Sequence, residues 1–147
     1  MYNTLLLLHV LAATIWTGGH LVLALAVLPG VLRRKAPAEL LRFESAFERI
    51  GIPALLIQVG SGLALAYRAL PDVHEWFAFD GQVSRLIGTK LVLLAVTMVL
   101  AADARLRIIP KLTEESLTSL AWHIIPVTVV SVLFVVIGVS FRTGWLY

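Results

Sequence analysis

Long stretches without a charged side chain constrain this chain more than any other feature. No Lys, Arg, Asp or Glu occurs from Thr4 to Leu32, from Ile50 to Tyr67, or from Ser116 to Phe141. A fourth stretch, Leu86 to Ala102, is interrupted only by Lys90. A helix needs about 20 apolar residues to cross the hydrocarbon core of a bilayer. Within that core every backbone N–H and C=O must find a partner inside the protein, which a helix achieves alone. Four such stretches predict an all-α integral membrane four-helix bundle. With 59% hydrophobic and 14% charged residues, the chain has too little polar surface for a soluble domain of its size. At 147 residues it reads as a single four-span domain, 1–147. The first stretch is too long for a signal-peptide core and has no basic segment before it, so it is expected to remain as span one.

The charges that do occur are unevenly placed. Arg33, Arg34, Lys35, Arg42 and Arg49 lie between spans one and two, and Arg105, Arg107 and Lys111 between spans three and four. The opposite side has Arg68, Arg85 and Arg142, with Asp72, Glu75 and Asp80 nearby. The positive-inside rule then predicts both basic loops in the cytoplasm and both termini on the opposite face, which is the periplasmic face if the chain sits, as expected, in a bacterial inner membrane. Basic loops this short are explained by topology, so no nucleic-acid partner is expected; membrane lipids are. In the first loop Leu40, Leu41, Phe43, Phe47 and Ile50 recur at helical spacing among charges, predicting a short cytoplasmic amphipathic helix that leads into span two. Trp76, Phe77 and Phe79 in the outer loop, and Trp145 and Tyr147 at the C-terminus, suit the membrane interface. There is no cysteine, which excludes disulfides, thiolate metal sites and iron–sulfur clusters.

Titratable side chains inside a bilayer are costly and call for a partner or a purpose. Four stand out: His9 and His20 in span one, Lys90 in span three and His123 in span four. His9 and His20 are eleven residues apart, three helical turns plus about 20°, so they share a face at depths roughly 16 Å apart. Antiparallel order predicts an outer layer of His9 and Lys90 and an inner layer of His20 and His123. Two imidazoles facing each other at one level suit axial ligation of a haem iron. Gly18 and Gly19, with Gly60 and Gly62 in span two, would let a flat cofactor or another helix approach. Arg142 could pair with a haem propionate. Plainer roles stand beside these: histidines that bond between helices, Lys90 reaching to the interface, Arg142 as an interface anchor, and Asp103 with Arg107 as an i,i+4 pair.

The stretch "LHVLAATIWTGGHL" resembles the first helix of the CopD family of copper-resistance membrane proteins. It also resembles the HemJ-type protoporphyrinogen oxidases, in which a His is followed seven residues on by Trp and then small residues, here His9, Trp16 and Gly19. "FESAFERIGIPALL", Lys90 in "GTKLVLLAV" and Pro126 in "HIIPVTVV" extend the likeness over nearly the whole chain. The resemblance implies a four-helix membrane bundle that binds haem b. For the HemJ type it further implies haem near His9 and Lys90 and oxidation of protoporphyrinogen. The chain departs from that pattern at His20 and His123, where apolar or amide residues would stand, and lacks the Asn-Glu before the last-helix Pro.

The leading expectation is therefore a b-type cytochrome-like protein in electron transfer or redox chemistry. It would carry one haem or two, with His20 and His123 as the axial pair, His9 as a second ligand position and Lys90 beside it. A quinone or a redox protein would be its partner, and the small bundle suits a homodimer. The alternative is copper binding or transport of the CopD type through His9, His20 and His123. Absence of Cys and the presence of only Met1 and Met98 as thioethers speak against a soft Cu(I) conduit; histidines could take Cu(II), with the Met1 amine as an extra ligand. A protoporphyrinogen oxidase-like enzyme, and a scaffold whose histidines only join helices, complete the range.

Overall fold

Helix satisfies the backbone of each charge-free stretch, and the computed structural model, which describes residues 1–146, contains helices and turns with no strand among those residues. The interface role expected of Tyr147 lies outside the described residues. Four spans are long and apolar enough to cross a membrane: Tyr2–Arg34, Pro37–Ala69, Gln82–Lys111 and Leu117–Thr143. The chain is thus a multi-pass membrane protein. Span one comprises α1 (Tyr2–Val22), a π turn (Leu23–Val27) and α2 (Leu28–Arg34). Span two is α3 (Pro37–Ala69), and span three is α4 (Gln82–Asp103) extended by a π turn (Ala104–Ile108) and a short 3-10 turn (Ile109–Lys111). Span four is α5 (Leu117–Thr143). Four spans bring both chain ends to one end of the bundle, here the terminal end; the other is the basic end.

Each π turn stops two residues short of a proline, Pro29 in span one and Pro110 in span three. A proline has no N–H and its ring collides with the carbonyl four residues earlier. Widening the preceding turn to i→i+5 bonding draws that carbonyl aside, so the span continues. Pro37 needs no such device, because it opens α3 where an N–H has no helical partner.

At 33 residues, α3 is about 50 Å long, well beyond the hydrocarbon core of about 30 Å. The amphipathic stretch and span two are consequently one unbroken helix. The apolar side of that stretch turns inward. Leu40 is buried in a core with Leu23, Leu28, Val31, Leu117, Leu120, Ala121 and Ile124, and Phe43 packs against it. This core ties spans one, two and four together at the basic end.

α1 packs most extensively on α3, then α4 on α5 and α1 on α5, whereas α3 and α4 barely touch. The spans therefore run α3–α1–α5–α4, with α1 and α5 central. The loose α3–α4 seam is pinned at the basic end by an Arg105–Glu48 ion pair. Side chains such as Leu25, Leu56, Val99 and Val129 point outward, as lipid-facing residues should. Of the loop aromatics expected at the interface, Phe77 and Phe79 are exposed, but Trp76 turns inward. Its indole N–H donates to the Leu70 carbonyl at 2.9 Å, which draws the ring under the loop.

Candidate functional site

α1 carries the two side chains around which the polar interior is built. On α3, Gln58 and Ser61 are three residues apart and so lie on one face; both are buried against α1. His9 Nδ1 lies 3.0 Å from the Gln58 carbonyl and 3.0 Å from Ser61 Oγ. A carbonyl only accepts, so Nδ1 bears the proton and donates. The Ser61 hydroxyl donates in turn to the Ile57 carbonyl at 2.5 Å, leaving its lone pair for His9. The lone pair of a neutral imidazole is thereby assigned to His9 Nε2. Gly62 makes room for the ring, since a Cβ there would stand 3.0 Å from His9 Cε1.

Lys90 belongs to the same layer. Its Nζ stands 5.2 Å from the centre of the Phe141 ring, a cation–π distance. A Cβ on Gly138 would lie 3.5 Å from Nζ. Among the described residues no carboxylate pairs with Lys90. Gln58 contributes one further feature: its side-chain Oε1 is buried with no hydrogen-bond donor. An orphaned buried acceptor costs about 1–3 kcal/mol, so this layer holds one oxygen in want of a proton donor or a cation.

His20 repeats the His9 arrangement one layer deeper. Its Nδ1–H donates to the Trp16 carbonyl at 2.9 Å, again leaving the lone pair on Nε2. The ring lies 4.4 Å from Trp16 and meets the Phe47 ring edge-on at 5.5 Å, centre to centre. Phe47 reaches this place because Gly19 has no side chain; a Cβ there would overlap the Phe47 ring.

His123 is different. Nδ1 donates to the Ser119 carbonyl at 3.0 Å, and Nε2 faces Asp103 Oδ2 at 2.8 Å. Both nitrogens are engaged and neither keeps a free lone pair. Asp103 Oδ1 also takes Arg107 at 3.0 Å, the i,i+4 pair expected from the sequence.

The register of α1 against α5 sets the layers. Thr17 Oγ1 donates to the Ser131 carbonyl and Thr128 Oγ1 to the His20 carbonyl, each at 3.3 Å. His20 is therefore level with Thr128, and His123 lies five residues further, about 7.5 Å nearer the basic end. By the same register His9 is level with Val139, beside Gly138 and Lys90. The structure thus brings His9 and Lys90 into one layer and separates His20 from His123, contrary to the expected inner layer. A haem held by that inner pair would need two free imidazole lone pairs at one level; the offset and the Asp103 contact remove both conditions, and these residues do not fit that group. Arg142 is exposed at the terminal end, one residue beyond Phe141. Gln58 and Ser61 were not singled out from sequence, although two polar residues three apart in a charge-free stretch mark an inward face. Asp103 as the partner of His123 was also missed.

Among the described residues no three His, Cys, Asp or Glu side chains gather into a metal-holding group. Comparison with protein families matches residues 41–141 to the model described as copper resistance protein D. The match includes Lys90, Asp103 and His123, and α1 with His9 and His20 precedes it. Comparisons with curated proteins and with solved structures gave no match.

Proposed function

Because the chain belongs to the copper resistance protein D family, we propose that it handles copper as cargo within the membrane, with Nε2 of His9 and of His20 as its coordinating atoms. The observation that carries this reading is the shared bonding of the two rings. Each engages its Nδ1 proton with a backbone carbonyl, the arrangement that orients a metal-binding imidazole and raises its basicity. Imidazole is a good copper ligand. Of the two thioethers, Met1 and Met98 are both exposed, so the nitrogen ligands dominate. One imidazole at each depth gives a weak hold, which suits an ion that must leave as readily as it arrives. Gln58 Oε1 is the natural second donor beside His9, and the Lys90 charge shortens residence there.

In this reading the basic end is cytoplasmic, by the positive-inside rule, and copper meets His9 first from the periplasmic side. The test is copper retained by the purified protein in nanodiscs, measured by metal analysis against a competing chelator. His9→Ala and His20→Ala should each weaken retention by about tenfold or more, while His123→Ala should leave it within about twofold. Equal retention by wild type, His9→Ala and His20→Ala would overturn the assignment. A Soret band in the same preparation, made with ample haem supply, would return the assignment to haem b.

A further inference from the structure

We propose that the basic end carries a site for the phosphate of an anionic phospholipid, in the cavity between the end of α2 and the first turn of α3. This cavity, of about 470 Å³, is lined by Val27, Pro29, Gly30, Arg33, Arg34 and Glu39. Its shape follows from the chain reversal. Lys35 adopts the left-handed conformation (φ 52°, ψ 48°), and the Ala36 N–H closes back on the Val31 carbonyl at 3.1 Å, so the two helix ends face each other. Gly30 leaves its place in the wall to the Arg34 guanidinium, whose nitrogens lie 3.1–3.2 Å from where a Cβ would stand.

The charge in this cavity is unbalanced. Glu39 is bonded to Arg34 at 2.5 Å, which holds that guanidinium in place. Arg33 has no acidic partner among the described residues, and Lys35 adds a second exposed cation beside it. An arginine fork can hold a phosphate through two parallel hydrogen bonds. The polarity is graded as well. Val27 and Pro29 lie on the membrane side, while Arg33 and Arg34 close the span, at the depth where headgroups sit. A soluble anion would use only the basic half; a phospholipid matches both. Topology alone would require the charges but not the cavity. Basic pockets between spans are a recognised mode of anionic headgroup capture.

The inference is independent of copper and is tested on copper-free protein. The measurement is lipid retained by the detergent-purified protein in native mass spectrometry, offered phosphatidylglycerol or phosphatidylcholine in equal amounts. Wild type should prefer phosphatidylglycerol, and Arg33→Gln should lose about fivefold of that preference. Gly30→Val, which displaces the Arg34 guanidinium, should lose it too. Lys111→Gln, on the other basic loop, should keep the wild-type preference, and inorganic phosphate should not displace the lipid. An unchanged preference in Arg33→Gln, an equal loss in Lys111→Gln, or displacement by inorganic phosphate alone would each overturn the proposal.

Discussion

His123 Nε2 stands 2.8 Å from Asp103 Oδ2 and joins α5 to the last residue of α4. The same carboxylate takes Arg107 from the π turn that follows, so one acidic side chain fastens two elements at the basic end. That bond occupies His123 Nε2, whereas the Nδ1 bonds of His9 and His20 assign the lone pair of each ring to Nε2.

Asp103→Asn should cost stability without changing copper retention. The pair is only partly shielded, with side chains 18% and 33% exposed, so about 1 kcal/mol is expected, below the value for a fully buried charged bond. Unfolding in mixed micelles for Asp103→Asn, His123→Ala and the double variant isolates the coupling. A coupling energy of zero would mean that the two side chains do not meet in the membrane.

Lys90→Gln removes a cation from the layer that holds His9 while keeping a polar side chain of similar length. If copper rests on His9 Nε2, retention should rise in Lys90→Gln by about threefold to tenfold, since like charges within one layer of a low-dielectric interior repel by about 1 kcal/mol or more. The gain should vanish in Lys90→Gln combined with His9→Ala. A fall in retention on losing the charge would show that Lys90 assists the ion instead, for example by holding an anion that travels with it.

Adjacent glycines should respond in opposite ways. A Cβ on Gly19 would overlap the Phe47 ring, whereas a Cβ on Gly18 meets nothing within 4 Å. Gly19→Leu should destabilise by about 1–3 kcal/mol through overpacking, and Phe47→Ala in the same chain should restore part of that. Gly18→Ala should be neutral or slightly stabilising, because alanine is the better helix former. Similar losses at both positions would contradict the α1–α3 packing described here.

Much of this architecture is legible in the sequence because the bilayer punishes charge so strongly. Three charge-free stretches and a fourth broken only by Lys90 mark the four spans, and helical arithmetic places His9 and His20 on one face. The register between helices is not legible in the same way. It depends on Thr17 meeting Ser131 and Thr128 meeting His20, contacts set by how closely α1 and α5 approach, and a five-residue error there converts a level pair into an offset one. The Asp103–His123 bond did leave a signal. Both residues stand ten positions from Thr113, at the turn between α4 and α5, and in an antiparallel hairpin such residues lie level. Counted from that turn, Asp103 rather than His20 is level with His123.

The orientation of the bundle can be determined directly because the chain has no cysteine of its own. Single cysteines at exposed positions on each end report their side without background: Lys35 and Lys111 at the basic end, His74 and Trp145 at the other. In intact cells whose outer membrane has been permeabilised, a membrane-impermeant maleimide should label His74→Cys and Trp145→Cys. Lys35→Cys and Lys111→Cys should react only after the inner membrane is opened. The physical ground is the concentration of eight basic residues at one end of the bundle, far above the opposite side, which is the bias that sets orientation during insertion. Labelling of the basic-end positions in intact cells would invert the protein, place His20 rather than His9 nearer the periplasm, and reverse the order in which the two imidazoles meet an incoming ion.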